Sequence, residues 1–188
     1  MRRTAGAGAA PAFASRVVLA PAAMPPVMPE PAARIRAAGV RDLPSLERFI
    51  SSYTHDGTLL ARTRANLVLH LRDFEVAVVR RKLVGCGALQ VVDSALGEIR
   101  SVAVDPAWRG AGIGSDLLRA LLADARRLGL RRVFCLTRRA DFFAQHGFRE
   151  VPKDRFPAKV WGDCLACPRR HACDEIAMEL GVGPGARG

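Results

Sequence analysis

Arg109-Gly110-Ala111-Gly112-Ile113-Gly114 is the stretch on which the reading of this chain turns. Ahead of it, Gly97-Glu98-Ile99-Arg100-Ser101-Val102-Ala103-Val104 reads as a strand, closed by Asp105-Pro106. Behind it, Ile113, Leu117, Leu118, Leu121, Leu122, Ala125 and Leu128 recur at helical spacing. A strand that feeds a glycine-rich turn opening a helix is a phosphate-binding device. Glycines let backbone N–H groups converge, and the helix start adds unpaired donors and partial positive charge. Arg109 adds a full charge. A ligand carrying phosphate is therefore expected at 109–115. A Walker loop would need Gly-Lys-Ser/Thr here, and a dinucleotide fold would need Gly-x-Gly-x-x-Gly opening a βαβ unit; neither is present.

The flanking sequence supplies the frame. Arg34-Ile35-Arg36-Ala37 reads as a short strand, followed by a helix that Asp42 can cap and that buries Leu43, Leu46, Phe49, Ile50 and Tyr53. A second helix is expected from Thr63, as N-cap, to Leu71. Phe74–Val79, Leu83–Val92 and the strand ending at Val104 form an antiparallel meander. After the long helix come a buried strand, Arg132–Thr137, a short helix over Asp141–His146 stopped by Gly147, a strand over Phe148–Val151 and a last one over Asp174–Leu180. The expected fold is α/β (α+β): a mixed, mostly antiparallel sheet flanked by helices over residues 34–180, with a cysteine-containing loop at 152–173.

Composition narrows the rest. Residues 1–33 are rich in Ala, Pro and Gly, with prolines at 11, 21, 25, 26, 29 and 31 and one acid, Glu30. They read as a disordered leader, with an organellar transit peptide as the alternative. The last eight residues, 181–188, hold four glycines and are expected to fray. Five cysteines without a regular framework argue against a secreted disulfide scaffold, so a cytoplasmic location is expected. No 18-residue apolar span predicts a membrane helix. The net charge of +11 suits anionic substrates as well as nucleic acid, and an aromatic fraction of 6% disfavours the nucleic-acid reading.

Val-x-x-Asp-Pro-x-x-Arg-Gly-x-Gly-Ile-Gly followed by Leu-Leu, residues Val102 to Leu118, resembles the acetyl-CoA motif of the GCN5-related N-acetyltransferase family. The order of elements resembles that fold. The resemblance implies acetyl-CoA as co-substrate. Its pyrophosphate would lie on Arg109, Gly110, Ala111, Gly112, Ile113, Gly114 and Ser115, its pantetheine would pair like an extra strand along Val102, Ala103 and Val104, and Phe143 would stand beside it. The acetyl group would sit at the edge next to the 132–137 strand.

Three further stretches resemble the acetyltransferase domain of N-acetylglutamate synthases, in their short single-domain form. They are Leu59–Arg64 with Asn66, Leu67 and Phe74; Val84–Leu89 running on to Val104; and Val133–Arg138 with Phe142-Phe143 and His146-Gly147-Phe148. Lys159-Val160-Trp161 and the cysteine region also resemble short members. The resemblance implies acetylation of the α-amine of L-glutamate, the opening step of arginine biosynthesis, with Arg62 or Arg64 and Arg138 on the carboxylates. Paired guanidinium forks are what two carboxylates need. Arg62, Arg64, Arg72 and His70 against Asp73 and Glu75 favour an anionic acceptor over a polyamine or an aminoglycoside; glutamine or a protein N-terminus are the remaining alternatives.

The ammonium must lose a proton before attacking the thioester. Glu98, on the strand beside the reacting amine, is the candidate base; the competing reading is an ion pair with Arg100, two residues along on the same face. Family members often carry a tyrosine on the short helix as acid toward the thiolate, where this chain has Phe142 and Phe143. Its one tyrosine, Tyr53, reads as core. Cys164, Cys167, His171 and Cys173 offer a zinc set within ten residues, with free thiols or a labile disulfide as alternatives. Cys86 and Cys135 read as buried apolar residues. A homodimer is the expected assembly.

Overall fold

A computed structural model describes residues 32–55, 57–156, 167 and 170–184. Residues 1–30 and 31–188 separate as two contact units, and the first lies outside the described residues.

Seven strands form one sheet: β1 (Arg34–Ala37), β2 (Phe74–Val79), β3 (Lys82–Val91), β4 (Leu96–Val104), β5 (Arg132–Thr137), β6 (Arg149–Glu150) and β7 (Ile176–Gly181), in the order β1-β2-β3-β4-β5-β7-β6. All pairings are antiparallel except β4 with β5. Helices α1 (Leu43–Ser51), α2 (Arg64–Leu69), α3 (Ile113–Arg127) and α4 (Ala140–Ala144) complete the domain. The expected mixed sheet with flanking helices is present, and the meander is β2-β3-β4.

The two faces are covered by different helices. Leu43, Leu46 and Ile50 of α1 and Leu67 of α2 pack on Val76, Cys86 and Ala88. On the opposite face, Leu118, Leu121, Leu122 and Ala125 of α3 meet Ile99, Val133, Cys135 and Met178, with Phe143 and Phe148 closing the cluster. Leu117, Leu118 and Leu121 are fully buried, each contributing about 1.5–3 kcal/mol of transfer free energy. The apolar stripe of α3 therefore fixes where its N-terminus points. It approaches β3 closely: a Cβ on Gly87 would lie 2.9 Å from Leu121 and 3.3 Å from Val102.

Two local expectations resolve differently. Thr63 caps α2, its hydroxyl accepting from the Asn66 N–H at 3.2 Å, and α2 ends at Leu69 rather than Leu71. Asp42 does not cap α1 with its side chain. Its carboxylate is taken by both terminal nitrogens of Arg36, at 2.6 and 2.8 Å, and by the Gly39 N–H at 2.7 Å. A charged bidentate pair outcompetes a lone cap bond. Arg36 accordingly holds the Asp42 carboxyl below the usual carboxylate range.

Candidate active site

The turn between β4 and α3 is built by its own side chains. The Asp105 carboxylate accepts from the Ala107 N–H at 3.0 Å, starting a single 3-10 turn over Pro106–Trp108, and Lys82 Nζ reaches it at 3.0 Å from the start of β3. The Lys82 hydrogen bond, then the Ala107 N–H, holds this carboxyl below its ordinary value. Gly110 and Gly112 stand at φ +82° and +80°, where a Cβ would meet nothing within 4 Å. Backbone conformation, not crowding, requires glycine there. Gly112 caps α3 without a side chain, and the first helical bond runs from the Asp116 N–H to the Gly112 carbonyl at 3.0 Å. The amides of Gly112, Ile113, Gly114 and Ser115 thus converge at the positive end of a 15-residue helix with exposed Arg109 on the same turn, an arrangement suited to an anion.

Helix α4 packs against this helix start. Ser115 Oγ lies 3.0 Å from His146 Nε2, and Phe142 stands 5.1 Å from the His146 ring. A Cβ on Gly114 would come within 3.4 Å of Phe142. Phe143, expected at the coenzyme, is instead 5% exposed and edge-on to Phe148 in the core. Successive helical side chains point about 100° apart, so Phe142 reaches Gly114 at the start of α3 while Phe143 turns into the core cluster behind it. Nothing in the sequence pattern marks His146 for this place; its contact with Ser115 depends on the docking of α4 against α3.

The second feature is an open edge. Parallel pairing of β4 with β5 runs from Leu96 to Glu98 on β4 and stops. Immediately beyond, Arg100 faces Ala88 and Ala103 faces Cys86, so Ser101 and Val102 together oppose Gly87. This is a β-bulge, with Ser101 at φ +55°. The Asp105 N–H bonds the Val84 carbonyl at 2.8 Å, making Asp105 and Val84 a hydrogen-bonded pair. By antiparallel alternation Val104 and Val102 then direct their N–H and C=O groups away from β3, toward the side that β5 has left. The outward Val104 carbonyl accepts from the Tyr53 hydroxyl at 3.1 Å. Tyr53 is buried as expected, but its hydroxyl reaches this edge, a contact 51 residues distant in sequence that no local pattern announces.

The charged candidates surround the opening unequally. Gln90 lies across from Glu98 and Ala88 from Arg100, so both charged residues share the sheet face covered by α1 and α2. Their side chains are 14% and 12% exposed, with Nη1 and Oε2 3.7 Å apart, and Gln90 also accepts from Arg100. The ion pair is therefore formed. Arg138, just past β5, donates to the Gly57 carbonyl, tying the α1–α2 connection to the end of β5. Arg62 is half-buried on that connection. Arg64 is turned away: it is exposed and pairs with Glu47 of α1 at 3.1 Å, beside an open hollow lined by Arg48, Ser51 and His55.

Among the described residues the expected zinc set is not assembled. Cys164 lies outside the described residues; Cys167 is half-buried, while His171 and Cys173 are exposed. Cys173 Sγ accepts from Lys153 Nζ at 3.5 Å. Among the described residues no three His, Cys, Asp or Glu side chains gather to hold a metal. Cys86 and Cys135 are buried; burial pushes the Cys86 thiol to about 12, and the Cys135 thiol upward with Glu98 adding. Neither is a nucleophile at neutral pH.

The acetyltransferase (GNAT) domain matches residues 71–150. An uncharacterized N-acetyltransferase of Chlorobaculum tepidum is 39% identical over 80% of this chain and 97% of its own length. An amino-acid acetyltransferase of Mycobacterium tuberculosis is 42% identical over 69% of this chain and 75% of its own. Among solved structures, N-acetylglutamate synthase from Neisseria gonorrhoeae, complexed with coenzyme A and N-acetyl-glutamate, aligns at TM-score 0.72 and 28% identity. That alignment covers 80% of this chain and 35% of the longer synthase.

Proposed function

Because the chain belongs to the GNAT acetyltransferase family and is an acetyl-CoA-dependent enzyme, we propose that it acetylates the α-amine of L-glutamate. One observation carries the site assignment: the outward edge at Val102 and Val104 runs directly into the left-handed glycine turn at the start of α3. An acyl-pantetheine arm ending in a pyrophosphate has that shape, an amide chain that can pair with a strand edge followed by an anion. In this reading the turn amides from Gly110 to Ser115 and Arg109 hold the pyrophosphate, and Phe142 borders it.

The bulge then matters chemically. It lies beside the place where β4 and β5 part, next to the Val102 N–H that strand alternation directs outward, where a thioester carbonyl would develop negative charge. Glu98 lies four residues before Val102 and serves as the base, directly or through water, with Arg100 3.7 Å away orienting the carboxylate. Both substrates bind together, so the amine attacks the thioester carbon directly and CoA leaves as thiolate. With Phe142 and Phe143 on α4, that thiolate takes its proton from water. Arg138 exchanges the Gly57 carbonyl for a substrate carboxylate, and Arg62, on the same α1–α2 connection as Gly57, supplies the second cation; Arg64, committed to Glu47, takes no part.

The glutamate assignment rests on these cations together with the amino-acid acetyltransferase relatives. Its test is release of free CoA from acetyl-CoA with a panel of amino acids and amines. Turnover with glutamate exceeding that with cationic amines is expected. Turnover with a polyamine or aminoglycoside and none with glutamate or glutamine would overturn it.

A further inference from the structure

Tyr53 is the only tyrosine in the chain, 9% exposed, on the turn that follows α1. Its N–H bonds the Ile50 carbonyl at 3.0 Å, its carbonyl holds the Leu59 N–H at 2.9 Å, and its ring tilts against Phe49 at 5.1 Å. The side chain is thus fixed from three directions. What it is fixed upon is unusual for a core tyrosine. Its hydroxyl donates to Val104, on the outward edge of β4, and the Arg109 guanidinium lies alongside. Burial pushes the phenol above its ordinary range, with Asp105 adding and Arg109 opposing, so it stays a neutral donor at physiological pH.

Both neighbours of that hydroxyl are groups the coenzyme needs in the reading given above, on which this inference rests. The Val104 carbonyl faces the edge along which the amide chain of the arm would pair, and Arg109 belongs to the pyrophosphate turn. A carbonyl oxygen accepts two hydrogen bonds. A phenol oxygen 3.1 Å away on the outward side nonetheless stands where an incoming amide nitrogen has to approach. We propose that the Tyr53 hydroxyl competes with the coenzyme for the Val104 carbonyl and the side of Arg109, and yields both when the coenzyme enters. An open strand edge is a template for pairing with other chains. The hydroxyl blunts that edge until the coenzyme covers it.

The experiment uses the single tyrosine. Full-length protein is made with 3-fluorotyrosine, titrated with CoA alone and followed by fluorine NMR, with calorimetry giving the affinity independently. The one resonance is expected to move saturably with the calorimetric Kd. Tyr53→Phe keeps the ring and its packing but removes the competitor, so it is expected to bind CoA about 3- to 10-fold more tightly, the worth of one ordinary hydrogen bond. A merely structural role would leave CoA affinity equal or weaker in Tyr53→Phe, and that result overturns the inference. So does a resonance that stays put while calorimetry records binding; this readout does not depend on the variant. Failure of calorimetry to detect CoA binding at all would instead remove the coenzyme assignment beneath it.

Discussion

Gly112 and Gly129 sit at opposite ends of α3, at φ +80° and +78°, and a Cβ at either meets nothing within 4 Å. Replacing each by alanine imposes the same left-handed strain, about 1–2 kcal/mol, with no clash. For a domain of this size that corresponds to a fall in Tm of roughly 2–8 °C. The two variants should therefore lose similar stability. They should differ in coenzyme binding, because only Gly112 belongs to the turn whose amides would hold a pyrophosphate. A backbone that relaxes toward negative φ at residue 112 re-aims one or two of those donors. A hydrogen bond to a charged group is worth about 1.5–3 kcal/mol, so loss of one raises the Kd for CoA by roughly 10- to 150-fold. Calorimetric titration with CoA and a thermal melt, run on both variants and the parent, give all four numbers. If Gly112→Ala binds CoA as Gly129→Ala does, the turn is not the phosphate site, whatever its resemblance.

Three further outcomes are expected. Glu98→Gln should lower kcat by about 100-fold or more at unchanged CoA affinity; a variant that only loses stability would leave Glu98 as the structural partner of Arg100. Arg138→Ala should raise the KM for the amino acid far more than that for acetyl-CoA, and equal effects on both would remove it from the acceptor site. Glu75 is 9% exposed, and desolvation, with Asp124 adding, raises its folded pKa above the unfolded value. Its contribution is thus fully present below the unfolded pKa and lost as pH rises through the folded one. Glu75→Gln should therefore melt higher than the parent at pH 7, with the gap closing as pH falls through the carboxylate range; a gap constant with pH would contradict that cause.

The frame was legible because its signals are periodic. The α3 stripe from Ile113 to Ala125 and the apolar runs of β2 to β5 admit few alternatives, and Thr63 announces its helix by a local bond. Glu98 and Arg100 were readable as a pair because strand side chains alternate faces. What escaped depends on distance or on rotation. Asp42 was diverted from its cap by Arg36 on the preceding strand. That Phe142 lies at Gly114 and Phe143 in the core was not legible, because a five-residue helix has too few positions to fix its own rotation. Tyr53 satisfied the core pattern of α1, and its bond to Val104 arises only when the sheet brings the end of β4 beneath that helix. Arg64 looked equivalent to Arg62 in sequence, and only the placement of Glu47 on α1 separates them.

The central claim is the acceptor at the edge that β4 and β5 leave open. Its most direct measurement is mass spectrometry of the products formed from acetyl-CoA and an equimolar mixture of glutamate, glutamine, lysine and spermidine. N-acetylglutamate is expected as the major product, formed in step with free CoA. Acetylated lysine or spermidine with no N-acetylglutamate would contradict it.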